Sequence, residues 1–222
     1  MEKIFVLAGG GLGDCFINYF NVGFVIPGNP WNKLKALKES RECYIKAVLA
    51  CHNDAIIDFV RYHPYIDELE ILPYTALWDR YSETLEARGW INAAGYDVEI
   101  SKPVIWQGPH DIDRLMQITN GKPYIVVHPT AGTPDRALTS YHVDHPSMPT
   151  ITIGVSDDLN ARLCALLTWN ASLFVGTFSA YAWVASAAGV ISRVYLPDDY
   201  LNDDHTAIAR RVDMKILPFS LL

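Results

Sequence analysis

The sequence predicts an α/β fold made of two Rossmann-like halves, each a parallel sheet covered by helices. Apolar, β-branched runs of strand length alternate with helical segments, a glycine-rich loop follows the first of these runs, and the alternation restarts near residue 120. Half of the 222 residues are apolar, which is enough for one large domain or two small ones. We expect an N-terminal domain over residues 1–120 and a C-terminal domain over 121–222, the latter reduced in size.

Strands and helices alternate in order through the first half. Asn53 is a plausible N-cap and Pro64 a stop for one helix, and Asn120 with Gly121 can close another in the left-handed conformation. The predicted strands are 3–8, 44–52, 66–74 and 96–100. The predicted helices are 14–26, 53–64, 75–89 and 110–121.

The second half repeats the pattern. Ser156 or Asp157 is the predicted N-cap of its first helix, and Gly189 is the predicted end of its second. Residues 133–149 contain three prolines and no clear period, so we expect a loop there. The predicted strands are 123–129, 149–155, 171–176 and 190–197, and the predicted helices are 156–170 and 177–189.

Composition and charge exclude several classes of protein. The formal net charge of −7 disfavours a general nucleic-acid binder, because the phosphate backbone attracts basic surfaces. No apolar run reaches the ~18 uncharged residues of a membrane span, and the N-terminus lacks the pattern of a signal peptide. Four cysteines without CxxC spacing are typical of a reducing compartment. We therefore expect a cytoplasmic protein with no transmembrane segment.

The loop VLAGGGLGDCF, residues 6–16, lies where an α/β sheet binds ligands. It fails the dinucleotide fingerprint GxGxxG, because Asp14 stands where the third glycine should be, and this disfavours a nicotinamide or flavin site. Two interpretations of Asp14 stay open. It is a helix N-cap without chemistry, or a general base for a sugar hydroxyl that Gly11 and Gly13 allow to approach closely.

Several segments together resemble one enzyme family. GGLGD before a helix, RYHPYIDELEIL at 61–72, IVVHPTAG at 125–132 and ASLFVGTFSAYAWVASAAGV at 171–190 are similar, in this order, to segments of the family 9 glycosyltransferases. That heptosyltransferase-like family has the two-domain GT-B fold. The resemblance implies that Asp14 is the catalytic aspartate, that HPTAG forms a phosphate loop, and that transfer inverts the sugar without an obligatory metal or other cofactor.

The last segment departs from the family's "VGtDSGpmH" pattern. Phe178 stands at the position of the acid that holds the transferred sugar, and Ala180 and Trp183 replace the glycine and the histidine. Gly176 and Ser179 keep the pattern. The family's extra βα unit after the phosphate loop is missing, which leaves Arg136 as the cation of that stretch. The donor half is therefore expected to be trimmed.

Other interpretations of the same residues remain. FSAYAW is also similar to the "FSWWgAWL" run of bacterial fucosyltransferases, which have a GT-B-like fold and use a nucleotide-sugar donor. Tyr181 and Trp183 could stack on a base or a sugar, although aromatics in a small-residue helix are more often core residues. A metal site is a further alternative, but an exposed polar loop is favoured because so few ligands converge. Its candidate ligands are His142, Asp144 and His145, with help from His128.

These observations predict a glycosyltransferase that moves a sugar from a nucleotide diphosphate donor to a saccharide or lipid-linked acceptor. Asp14 would deprotonate the acceptor hydroxyl. The leaving diphosphate would be held by a second group of residues. That predicted donor group is Thr130, Gly132, Thr133, Arg136, Gly176 and Ser179. The alternative is a catalytically degenerate GT-B-like protein that serves as a binding or assembly module.

Overall fold

Over the residues that it describes, the computed structural model contains two parallel sheets, in the α/β arrangement that the sequence predicts. One has three strands in the order β1-β2-β3, and the other has five in the order β5-β4-β6-β7-β8. The structure describes residues 2–7, 44–50, 54–62, 66–73, 76, 108–131, 134–141, 143, 147–155, 159–201 and 214–221.

The N-terminal sheet contains β1 (Glu2–Leu7), β2 (Tyr44–Ala50) and β3 (Glu68–Leu72). Helix α1 (Asp54–Arg61) connects β2 to β3, which places these two parallel strands side by side. These strands and this helix confirm the sequence predictions for the same segments. The predicted helix at 14–26, the predicted strand at 96–100 and nearly all of the predicted helix at 75–89 lie outside the described residues.

The C-terminal half alternates strands and helices around the larger sheet. Helix α2 (Asp111–Thr119) ends the first half, and the helices of the C-terminal half are α3 (Ala161–Trp169) and α4 (Ala180–Ala187). Its strands are β4 (Ile125–His128), β5 (Thr150–Thr152), β6 (Leu173–Thr177), β7 (Ile191–Leu196) and β8 (Ile216–Pro218). Strand β8 was not predicted. It pairs with β7, the strand expected to be the last.

The alternation of side chains along β4 sorts them between two cores. Ile125 and Val127 face a small cluster that includes Leu138, whereas Val126 faces the large cluster formed with α3 and α4. Since successive side chains of a strand point to opposite faces, His128 lies on the same face as Val126, under the helices. Burial of these two apolar clusters fixes which side of the sheet each residue occupies.

Helix α3 begins later than predicted. Its N-cap is Asn160, whose Oδ1 accepts a hydrogen bond of 2.8 Å from the backbone N–H of Leu163. The prediction of Ser156 or Asp157 as the cap was therefore wrong. Asn160 is itself a favourable N-cap, and the acidic residues upstream masked that signal. By contrast, Asn120 and Gly121 close α2 with φ of 51° and 67°, as predicted.

The two halves contact each other through helices. Helix α1 of the N-terminal half packs against α3, and α2 also packs against α3. The domain boundary that the sequence predicts near residue 120 stays a prediction. Among the described residues, no helix is long and apolar enough to cross a bilayer.

Candidate functional site

The candidate site lies where the strand order of the larger sheet reverses. From β4 the chain adds β5 on one side, and it then continues on the other side through β6, β7 and β8. In such sheets, ligands bind outside the carboxyl ends of the strands at the point where the order reverses. His128 ends β4 and pairs with Gly176 of β6. The space outside the carboxyl ends of these two strands is called the crevice below.

Three polar side chains meet at this crevice. Oγ of Ser179 lies 2.9 Å from Nδ1 of His128, and Nε2 of the same ring lies 3.2 Å from Oγ1 of Thr130. Thr130 also donates a hydrogen bond of 3.1 Å to the carbonyl oxygen of Gly154, which follows β5. The ends of β4, β5 and β6 are thus linked through one histidine ring.

His128 is buried between these partners. Its ring packs edge-on against the ring of Tyr181, with centroids 4.9 Å apart. Burial lowers the pKa of His128 from 6.5 to about 4, since the low-dielectric surroundings disfavour the charged imidazolium. The ring is therefore neutral at pH 7, and each of its nitrogens has a hydroxyl partner.

Gly154 and Gly176 allow the backbone to come close to this histidine. Gly154 has φ of +75°, and a Cβ there would lie 2.6 Å from Nε2 of His128. A Cβ on Gly176 would lie 2.8 Å from the carbonyl oxygen of His128. Both positions need glycine because no side-chain carbon fits at those distances.

Helix α4 directs its N-terminus toward the same crevice. Ser179 is its N-cap residue, with an extended backbone, and its side chain makes no hydrogen bond to the helix backbone. The first amides of a helix have no partners within their own helix and carry a partial positive charge, which favours a bound anion. This strand end followed by a helix can receive phosphate oxygens.

Arg136 supplies a cation next to the end of β6. It closes a short 3-10 helix (Pro134–Arg136), and its carbonyl oxygen accepts a hydrogen bond from Oγ1 of Thr177. Its guanidinium carbon lies 4.2 Å from the ring centroid of Tyr200. Within the described residues, the buried Nε of Arg136 has no hydrogen-bond partner. Stacking on Tyr200 and the hydrogen bond from Thr177 hold Arg136 near the end of β6.

The residues that depart from the family pattern belong to the core. Phe178 and Trp183 are 7% and 4% exposed, and their ring centroids lie 5.6 Å apart. Tyr181 is buried as well, with its hydroxyl directed at the carbonyl oxygen of Ala161. The burial of Tyr181 and Trp183 therefore excludes stacking on a base or a sugar. Both are core residues, which is the alternative that the sequence favours.

The connection between β4 and β5 has little regular structure in the part of the chain that the structure describes. Between β4 and β5, the described residues contain the 3-10 helix Pro134–Arg136 and otherwise irregular backbone. The predicted loop at 133–149 is thus confirmed for the residues seen there. Among the described residues, this connection places no α-helix at the carboxyl end of β4.

Part of the predicted site lies outside the described residues. The residues outside include Gly11, Gly13 and Asp14 of the first loop, Gly132 at the end of HPTAG, and Thr133, which follows it. The candidate metal ligands His142, Asp144 and His145 are also outside. Among the residues that are described, no three His, Cys, Asp or Glu side chains form a group that could hold a metal ion. The roles predicted for these residues stay predictions.

Sequence reasoning missed the central place of His128. It entered as an accessory metal ligand and as the first residue of HPTAG, whereas the structure shows it between Thr130 and Ser179. The one local signal was its position at the end of a buried strand, next to the predicted phosphate loop. Gly154 was also missed, because its positive φ and its contact with His128 depend on the fold.

The chain is similar to solved structures of known proteins. No family model and no curated protein matches the chain. The chain is similar to the glycosyl transferase family 9 protein of Veillonella parvula, with a TM-score of 0.53 and 10% identity over 98% of this chain and 86% of that one. At this identity the likeness establishes the fold. The chain has the Rossmann-like GT-B fold, and the resemblance to family 9 is confirmed at that level.

Two further structures are similar at lower scores. TibC of enterotoxigenic Escherichia coli, an iron-containing dodecameric glycosyltransferase, gives a TM-score of 0.47 and 11% identity over 87% of this chain and 58% of that one. TibC in complex with ADP-D-β-D-heptose gives a TM-score of 0.40, with the same identity and coverage.

Proposed function

We propose that this protein is a glycosyltransferase that moves a sugar from a nucleotide diphosphate donor to a saccharide or lipid-linked acceptor. The observation that carries the proposal is the crevice at the carboxyl ends of β4 and β6. The N-terminus of α4 and the hydroxyls of Thr130 and Ser179 lie at these strand ends, and the carbonyl oxygen of Arg136 is bound to Thr177 at the end of β6. The fold by itself does not imply an activity, so the proposal depends on the polar groups at the crevice.

The donor diphosphate is assigned to the N-terminus of α4 and to Arg136. Amides of the first helical turn and a guanidinium both stabilise negative charge, and charge develops on the diphosphate as the sugar leaves. Backbone amides of Thr130 and Gly132 in the HPTAG loop, and of Thr133 after it, would contribute further donors. Arg136 is suited to this role because its stacking on Tyr200 limits the motion of its charged end.

Asp14 is the proposed general base on the acceptor side. A carboxylate at the start of a helix is held ionised by the helix dipole, and an ionised carboxylate can accept the proton of an attacking hydroxyl. Attack from the side opposite the diphosphate inverts the configuration at the transferred carbon. The roles of Gly11 and Gly13 are to allow close approach of the acceptor.

Nucleotide binding tests the donor site directly. UDP, GDP and ADP are added to the protein while its melting temperature is measured. A nucleotide at about 100 times its Kd adds about 2.7 kcal/mol of stability, which corresponds to about 5–10 °C in a chain of this size. Arg136→Gln should remove most of that shift. Lys122→Gln is the matched control, because this exposed residue lies at the opposite, amino-terminal end of β4.

A second function, a binding or assembly module without transfer, is favoured by Phe178 and Trp183. Both fill the core, and they stand where the family that the chain resembles has the acid that holds the transferred sugar and a histidine. A module of this kind would show no melting shift with any of the three nucleotides and no hydrolysis of nucleotide sugars. A clear shift with one nucleotide, lost in Arg136→Gln and kept in Lys122→Gln, favours the transferase.

A further inference from the structure

The hydrogen bonds around His128 form a chain whose direction is set by chemistry. A carbonyl oxygen can only accept, so Thr130 must donate its hydroxyl proton to Gly154 across their 3.1 Å contact. Its oxygen is then left to accept from Nε2–H of His128 at 3.2 Å. Both contacts of Thr130 are hydrogen bonds only if the ring proton is on Nε2.

The proton on Nε2 decides what Ser179 can do. A neutral imidazole carries one ring proton, so Nδ1 is an acceptor here. Burial lowers the pKa of His128 to about 4, which keeps the ring in this neutral form at pH 7. Ser179, whose Oγ lies 2.9 Å from Nδ1, therefore donates its only hydroxyl proton to the histidine.

The lone pairs of Ser179 remain for a partner outside the chain of hydrogen bonds. A serine at an N-cap usually accepts from an amide of the following helix, but Ser179 makes no such bond to α4. Its side chain is partly exposed at the crevice. Ionised phosphate oxygens are acceptors and cannot bind a second acceptor, whereas a sugar hydroxyl can donate to it.

We propose that Ser179 accepts a hydrogen bond from a sugar hydroxyl of the nucleotide-sugar donor, and that His128 is a positioning residue that fixes the Ser179 hydroxyl in the accepting orientation. This inference rests on the proposed transferase function. It changes the role that the sequence predicts for Ser179, which was to steady the diphosphate. The hydroxyl belongs to the transferred sugar or to the ribose, since both flank the diphosphate.

Binding by Ser179→Ala distinguishes these cases. Affinities for inorganic pyrophosphate, the nucleoside diphosphate that binds best and its nucleotide sugar are measured by calorimetry, with Ser179→Thr as the conservative variant that keeps the hydroxyl. Ser179→Ala should weaken the nucleotide sugar about five- to tenfold and leave pyrophosphate within about twofold. An equal loss with the nucleoside diphosphate assigns the ribose hydroxyl, and no loss with it assigns the transferred sugar.

Loss of pyrophosphate affinity equal to that of the nucleotide sugar would overturn the proposal, as would an unchanged nucleotide-sugar affinity. If the wild type binds none of these ligands, the proposed function fails and the assigned ligand fails with it. The orientation is tested separately by ¹⁵N NMR of the histidine rings at pH 7, with His128→Asn used to assign the His128 signals. We expect a protonated Nε2 and an unprotonated Nδ1, and a proton on Nδ1 would refute the accepting orientation.

Discussion

Nη1 of Arg162 lies 2.6 Å from Oδ1 of Asp58, and this ion pair joins α3 of the C-terminal half to α1 of the N-terminal half. The same guanidinium binds both carboxylate oxygens of Asp111, at the start of α2, and stacks over the ring of Tyr62. Arg162 is 4% exposed. One buried cation therefore ties together three helices that flank the two sheets.

Replacing this arginine should be costly. Arg162→Met removes the cation and leaves two carboxylates facing each other in a largely buried place, so we expect a loss of about 3–5 kcal/mol in the free energy of unfolding. Urea unfolding followed by tryptophan fluorescence measures it. The control Lys122→Met changes an exposed lysine and should cost at most about 0.5 kcal/mol. Equal stability of the two variants would mean that the ion pairs do not hold the helices together.

Two glycines with nearly the same positive φ distinguish the cost of backbone strain from the cost of overpacking. Gly154 has φ of +75° and Gly189 has φ of +70°, but a Cβ meets His128 and Thr130 at Gly154 and meets nothing within 4 Å at Gly189. We expect Gly189→Ala to cost about 1 kcal/mol from backbone strain alone. Gly154→Ala should cost about 1–3 kcal/mol more because of overpacking.

Thermal unfolding of the two glycine variants provides the comparison. Gly154→Ala should also weaken nucleotide-sugar binding, since it displaces the histidine that orients Ser179. Gly189→Ala, at the far end of α4, should bind like the wild type. Similar stability losses in both variants would show that the neighbourhood of His128 yields easily to an added methyl group.

The depressed pKa of His128 predicts a specific dependence of stability on pH. The unfolded chain binds a proton at this histidine below about pH 6.5, whereas the folded protein binds it only below about pH 4. Between these values the unfolded state holds more protons, so the free energy of unfolding falls as the pH falls. Between pH 7 and 4.5 the contribution of His128 is a loss of about 2 kcal/mol.

His128→Asn removes this titration and keeps a hydrogen-bonding group next to Ser179. Urea unfolding at pH 7 and at pH 4.5 should show that the wild type loses about 2 kcal/mol more than the variant over this interval. Above pH 7 the two proteins should differ by a constant amount, because His128 is neutral in both states there. Parallel pH profiles over the whole range would contradict the depressed pKa.

Asp14→Asn tests the acceptor side of the proposed mechanism. Loss of a general base lowers the rate of the chemical step by about 10²–10⁴-fold. We therefore expect kcat for transfer to fall by that amount, with donor affinity within about twofold of the wild type, since the base contacts the acceptor. Single-turnover transfer of a radiolabelled sugar measures the rate, and calorimetry measures the affinity. An unchanged rate leaves Asp14 as a helix cap.

The alternation of strands and helices was predictable because it depends on local pattern. Runs of apolar and β-branched residues placed β1 to β7 correctly, and glycines marked the ends of α2 and α4. Strand β8, at Ile216–Pro218, escaped prediction because three residues are too few to show a period. Its identity as a strand comes from pairing with β7, which is a long-range contact.

By itself, the sequence determined the α/β class, the alternation of strands and helices and the segments that carry the candidate site, since these follow from residue types and spacing. Only the tertiary structure decided that His128 forms a hydrogen bond with Ser179, 51 residues away, and that Phe178 and Trp183 are buried in the core. It also decided that Arg162 would be the buried cation between the halves. Hydrogen-bond partners, burial and the pKa of a ring are properties of neighbours in space, and those neighbours exist only after the sheets and helices have packed.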